Sequence, residues 1–114
     1  MQYATLKKKA DFDSVFAEKS RVYKNGIGFY FRLVNGKDFR FGLLTPKKLG
    51  NAVARNLFRR RIREIIRLFP ERISGFELVV SPYRPYEEYG YFILKGAFES
   101  TIRWIRENRL KGEN

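Results

Sequence analysis

The chain has 114 residues, enough for one ordinary domain and too few for two. It has no cysteine and no histidine, which removes disulfides, thiolate metal sites and the commonest general base. Its formal net charge is +12, and residues 1–70 hold all of the excess, with 17 Lys and Arg against 5 Asp and Glu, whereas residues 71–114 balance at 7 and 7. Charge gathered in this way is the footprint of a polyanion binder. No apolar run approaches the ~18 residues that span a bilayer, and the opening MQYATLKKKADF has no apolar stretch of the signal-peptide kind. A soluble, cytoplasmic protein is expected, with 11 Phe and 7 Tyr to build a core and to place rings on its surface.

Taken in chain order, Asp11 can cap a short helix over residues 11–19, where Phe12, Val15 and Phe16 share one face. Two β-rich runs, 27–34 and 39–45, flank Asn35-Gly36, a pairing that predicts a hairpin. TPKKLG reads as a loop because Pro46 has no N–H to donate to a ladder. Asn51 is then placed to cap a helix that runs to Phe69, before Pro70. The nearly unbroken apolar run FELVVS, residues 76–81, predicts a central strand. Leu94, Phe98, Ile102 and Ile105 recur at the spacing of a last helix. The expected order is α, β, β, β or a loop, α, β, α, within an α+β fold.

The stretch NAVARNLFRRRIREIIR, residues 51–67, holds six arginines and one acidic residue. On a helical wheel Arg55, Asn56, Arg59, Arg60, Arg63 and Arg67 fall within about 140° of arc, and Phe58, Ile62, Ile65, Ile66 and Phe69 fill about 100° beside them. A charged stripe is usually the solvated side of an amphipathic helix. This one is unfavourable as such, because like charges at i, i+4 cost roughly 0.2 to 0.5 kcal/mol per pair. Glu64, near Arg60, relieves that only partly. Arg55 adds charge at the positive end of the helix dipole, and Asn56 costs about 0.6 kcal/mol relative to Ala. Guanidinium groups concentrated at this cost suit phosphate, which they bind by paired hydrogen bonds. A membrane surface would reward the charge too, but it would need the apolar face that so small a core requires.

The stretch FGLLTPKKLGNAVARNLFRRRIREIIR, residues 41–67, resembles the signature of the bacterial ribonuclease P protein family: a Lys-Lys pair, Gly, Ala-Val, Arg-Asn, a basic pair and Arg-Glu at fixed spacing. LKKKADFDSVF is similar to the family's opening helix and FELVVSP to the strand after the motif. Leu57 stands where the family is usually basic, and Pro46 where it is usually small and polar. The resemblance implies a two-layer α/β sandwich of order αβββαβα with a left-handed βαβ crossover, one RNA-binding domain over residues 1–114. It also implies a protein subunit that binds ribonuclease P RNA and the 5′ leader of precursor tRNA, while the RNA cuts with Mg2+ that it mainly holds itself. On that basis Arg55, Asn56, Arg59, Arg60 and Arg63, extended by Arg67 of the same ladder, are expected to face the catalytic RNA. Lys47, Lys48 and Asn51 form the basic approach to them. Phe12, Phe16 and Tyr30 are expected to line a cleft for the single-stranded leader.

The residues give their own account of such a cleft. Gly28, Tyr30 and Arg32 share one face of their strand, small, aromatic and basic, and the opposite face is apolar. Unpaired strands are held by basic grooves and stacked rings. Core packing remains open for Phe12 and Phe16. No catalytic residue is expected in this chain: the 12 carboxylates form no evident metal cluster, and Asp11 with Asp13 and Glu87 with Glu88 read as solvated pairs. No small-molecule substrate and no membrane partner is expected. The competing readings are another basic RNA-binding module, of ribosomal or chaperone type, and a nuclease acting alone.

Overall fold

The computed structural model describes residues 2–36 and 38–110. Its elements are β1 (Ala4–Thr5), α1 (Lys9–Ala17), β2 (Ser20–Lys24), β3 (Ile27–Leu33), β4 (Phe39–Leu43), a 3-10 turn (Lys47–Leu49), α2 (Ala52–Leu68), β5 (Phe76–Pro82), a second 3-10 turn (Tyr86–Glu88), α3 (Tyr91–Ile105) and a closing π-helical turn (Arg106–Leu110). The fold is α+β. The expected αβββαβα order runs from α1 to α3, with the two-residue β1 added in front.

The five strands lie in the order β1-β4-β5-β3-β2. β5 is the central strand that its apolar run predicts, buried along its whole length, antiparallel to β3 and parallel to β4. Because β5 separates β3 from β4, the hairpin expected at Asn35-Gly36 does not form. The protein's hairpin joins β2 to β3 through its other Asn-Gly pair, Asn25-Gly26, where both residues take positive φ, 52° and 77°. That is the signature of the tight turn whose twist matches paired strands. Gly36 alone is left-handed in the second pair, which makes a bend between strands that are not neighbours.

Helices cover the two faces of the sheet unequally. On one face the apolar side of α2, Phe58, Ile62, Ile65 and Ile66, packs with Phe69 and with Leu94, Phe98, Ile102 and Ile105 of α3. They meet Ile27, Phe29, Phe31, Phe41, Phe76, Leu78 and Val80 from the strands. Burying each large apolar side chain contributes about 1.5–3 kcal/mol, so this layer dominates stability. Asn51 caps α2 as expected, its side chain accepting from the Ala54 N–H at 2.9 Å, and the helix ends at Leu68, ahead of Pro70.

On the other face α1 covers only part of the sheet. Val15 is fully buried against Leu6 and Val79, with Phe12, Phe16, Tyr30 and Leu44 half-buried around it. α1 starts earlier than its sequence implies. Lys8 holds the extended N-cap conformation, and the Asp11 carboxylate reaches back to accept from the Lys8 N–H at 3.3 Å. Asp11 therefore stabilises the first turn from inside the helix, where it also suits the helix dipole. The helix stops before Lys19, whose φ of 57° turns the chain into β2.

Candidate nucleic-acid interface

α2 presents the arginine ladder along the side opposite its core stripe. Asn56, Arg60, Arg63 and Arg67 are exposed, and Arg55 and Arg59 are half-buried. Among the described residues, the guanidinium groups of Arg55, Arg60 and Arg63 have no hydrogen-bond or ion-pair partner. Glu64 lines one recess with Arg60 but makes its ion pair, at 3.9 Å, with Arg67, so the repulsion in the middle of the ladder is relieved only in part. Arg61 lies off this line and stacks over the Tyr86 ring at 5.4 Å, a contact that ties α2 to the second 3-10 turn.

Arg59 differs from its neighbours in being held. One amino group donates to Asn56 Oδ1 at 2.9 Å and the other to Thr45 Oγ1 at 2.6 Å. Asn56, a poor helix former, thus has a local role, aiming a guanidinium that keeps further N–H donors for an external acceptor. Lys47 and Lys48 stand exposed on the 3-10 turn just before α2, anchored by the buried Leu49, and extend the cationic surface beyond Asn51. Leu57 is half-buried beside Arg60 and Arg61, outside the ladder.

The second group of expected site residues comes together on the sheet face beside α1. Phe16 meets Tyr30 edge to face, with ring centroids 5.0 Å apart. The Phe12 ring lies directly on Gly42, where an added Cβ would come within 2.6 Å of it. Both rings of α1 therefore pack and remain partly open to solvent. Arg32 is engaged: with Arg40 it brackets Glu77, which is only 4% exposed. Glu77 Oε1 accepts from Arg32 Nε at 3.1 Å and Nη2 at 3.0 Å, and Oε2 accepts from Arg40 Nε at 2.8 Å and from Arg40 Nη2. The hydrogen bond to Glu77 holds the Arg40 guanidinium above its usual pKa. Arg40 also stands 3.8 Å from Asp11 of α1, so two guanidinium groups and two carboxylates form one charge-balanced cluster that ties α1 to the sheet.

Tyr23, Tyr83 and the Arg40–Glu77 pair are functional candidates that sequence reasoning missed. Tyr30 donates to or accepts from Tyr23 at 3.3 Å and is also hydrogen-bonded to Tyr83. Burial is the main reason that the Tyr30 hydroxyl is pushed to a higher pKa, with the hydrogen bonds to Tyr23 and Tyr83 adding to it. The signal for Tyr23 is the Asn25-Gly26 turn. Once that pair is taken as the hairpin, Tyr23 falls opposite Gly28, on the face of Tyr30.

The two surfaces meet. A recess of about 250 Å³ between β1, α1 and α2 is lined by Lys7, Phe12 and Gly42 from the sheet side and by Arg59 and Arg63 from the ladder, with no carboxylate in its wall. Among the described residues no group of three or more His, Cys, Asp or Glu is arranged to hold a metal ion. No helix among them is long and apolar enough to cross a membrane.

A sequence-family model described as Ribonuclease P matches residues 1–106. The ribonuclease P protein component of Finegoldia magna is 40% identical over 93 residues, covering 75% of this chain and 82% of its own. That of Staphylococcus haemolyticus is 30% identical over 98 residues, covering 86% of each. The solved RNase P protein of Staphylococcus aureus superposes with a TM-score of 0.78 at 26% identity, over 90% of this chain and 94% of that one. The Thermotoga maritima protein, at 23% identity, shares the fold with a TM-score of 0.73. With its arginine helix, central β5 and α1-covered sheet face in the expected places, the chain belongs to the bacterial ribonuclease P protein family.

Proposed function

We propose that this chain binds the catalytic RNA of ribonuclease P through the α2 ladder and the 5′ leader of precursor tRNA on the sheet face beside α1, and so promotes removal of the leader. The observation that carries this proposal is the continuity of the two surfaces. Unpaired guanidinium groups on α2 run, through a recess free of carboxylates, into a face of half-exposed aromatic rings. Structured RNA satisfies the first by phosphate contacts, and an unpaired strand satisfies the second by stacking. Arg55, Asn56, Arg59, Arg60, Arg63 and Arg67, approached by Lys47, Lys48 and Asn51, serve the catalytic RNA. Phe12, Phe16, Gly28 and Tyr30 serve the leader. Arg32 offers the leader the N–H donors that Glu77 leaves free.

Cleavage belongs to the RNA in this scheme. Mg2+ supplies charge stabilisation and an activated water there. The chain's own residues do not suit the ion: the candidate surface is cationic, and the Asn56 carbonyl oxygen, the one neutral oxygen donor within the ladder, accepts from Arg59. The protein's part is to neutralise phosphates and to hold the leader. As a partner of tRNA maturation it works in the cytoplasm.

Two binding measurements test this assignment, one of the protein with the catalytic RNA and one of the reconstituted complex with tRNA. Arg63→Ala is expected to weaken affinity for the isolated catalytic RNA. Tyr30→Ala is expected to weaken affinity for precursor tRNA more than for mature tRNA. Equal losses from Tyr30→Ala on both tRNAs would remove the leader from that face, and unchanged RNA affinity in Arg63→Ala would remove the ladder from the RNA.

A further inference from the structure

Beyond Phe16 and Tyr30 the same sheet face carries two more rings that nothing covers. Tyr23 is 56% exposed and Tyr83 is 40% exposed. Their ring centroids are 5.9 Å apart, tilted at 52°, and Tyr23 meets Tyr30 edge to face at 6.1 Å. Gly28 is the floor on which they stand: a Cβ there would come 2.8 Å from the Tyr83 ring and 2.9 Å from the Tyr30 ring. The absence of a side chain at position 28 is therefore what lets three tyrosines converge.

Hydrogen bonding leaves the group with capacity to spare. Three phenols bring three O–H donors, and the two contacts within the trio use at most two of them. Both contacts converge on the Tyr30 oxygen, so one O–H of the three is left over: that of Tyr83 or Tyr23 when Tyr30 accepts from one and donates to the other, and that of Tyr30 when it accepts from both. Rotating the hydroxyls moves the free donor from one ring to another.

The surrounding charge selects the occupant. The Arg21 guanidinium lies 5.7 Å from the centre of the Tyr23 ring, and Lys24 ends the same strand. Neither has a carboxylate partner among the described residues. Arg84 follows Tyr83 and stands 3.9 Å from Glu88. Rings flanked by cations, with a spare donor, suit the bases and phosphates of an unpaired nucleic-acid strand better than an apolar protein helix. The rings also lie in line with the path already described. From Gly42 on β4, where Phe12 sits, the face crosses β5 and β3 to Tyr23 on β2, three strand spacings or about 14 Å.

We propose that Tyr23 and Tyr83 form a second nucleobase subsite, for an unpaired base of the leader farther from the arginine ladder than the base held at Phe16 and Tyr30. This rests on the leader lying across the sheet face. It assigns to Tyr23 and Tyr83 the selection of substrates whose leader is long enough to reach β2.

The test is equilibrium binding of precursor tRNAs to the complex of this protein with a bacterial ribonuclease P RNA, the single-stranded leader being shortened one nucleotide at a time. Wild-type affinity is expected to fall in two steps. The double variant Tyr23→Ala with Tyr83→Ala is expected to lack the distal step, losing about fivefold or more on long leaders and nothing on leaders too short to reach. Tyr23→Phe with Tyr83→Phe keeps the rings and is expected to retain most of that step. Abasic nucleotides at the distal leader positions are expected to bring the wild-type protein to the affinity of the short leader, a readout that does not depend on how the variants fold. No distal step in the wild type, an equal loss on mature tRNA, or self-association abolished by the alanine variants would each overturn the subsite. Phe16→Ala separates the two levels. If it weakens leader binding while the Tyr23 and Tyr83 variants do not, the subsite alone falls, and if neither does, the leader does not lie on this face.

Discussion

Arg63→Ala is the substitution for which folding and binding should move in opposite directions. Arg63 is exposed, and its guanidinium has no partner among the described residues, so its removal breaks no internal contact. It sits one turn from Arg59 and one turn from Arg67, and each like-charge pair at that spacing costs roughly 0.2 to 0.5 kcal/mol. Deleting both repulsions should stabilise the free protein by up to about 1 kcal/mol, while Ala for Arg changes helix propensity little. Arg59 and Arg67 already have other contacts, with Asn56 and Thr45 and with Glu64, so the gain is expected toward the lower half of that range. Binding should change the other way. Losing one phosphate contact should flatten the slope of log K against log salt by about 0.9 on duplex or about 0.7 on single-stranded RNA. Between 50 and 200 mM salt, that difference amounts to about a threefold change in how much affinity is lost. Thermal denaturation of the free protein and titration of catalytic RNA at several salt concentrations measure both quantities. A variant that is destabilised, or that keeps the wild-type salt slope, would refute the assignment of the ladder as an interface left unpaired for RNA.

Three further substitutions probe the frame that holds the site. Asn51→Ala removes the α2 cap and should lower unfolding free energy by about 1 kcal/mol in a denaturant titration, whereas Asn51→Asp should keep the cap. Glu77→Ala leaves Arg32 and Arg40 facing each other across β5 with Asp11, 3.8 Å from Arg40, as the remaining carboxylate; because both guanidinium groups are partly solvated, a loss of about 1–3 kcal/mol is expected, and a neutral result would mean that water and Asp11 replace the Glu77 carboxylate. Thr45→Val releases one amino group of Arg59 without changing side-chain volume, so catalytic-RNA affinity should fall by less than in Arg59→Ala, with unfolding free energy nearly unchanged.

How far these features could be read from the chain depended on how local they are. The cap at Asn51, the apolar stripe of α2 and the central position of β5 follow from short-range chemistry, and all three stand in the structure. The hairpin did not, because Asn25-Gly26 and Asn35-Gly36 are chemically alike. What separates them is β5, some forty residues later, entering between β3 and β4. The same entry creates the Arg32–Glu77–Arg40 cluster, whose three members lie on three different strands and acquire their meaning only in register. Tyr83 was hidden for a related reason, since it reaches Tyr30 from 53 residues away. The cationic face of α2 was legible because a helix displays its own charge pattern. The surface it merges with was legible only in part, because Phe12, Phe16 and Tyr30 are assembled by the sheet.

The most direct measurement is cleavage of a precursor tRNA by a bacterial ribonuclease P RNA at low magnesium, with and without this protein. The protein is expected to raise both the rate and the affinity for the leader-bearing substrate, and to release no product in the absence of the RNA. No gain in either quantity, or cleavage by the protein alone, would contradict the account.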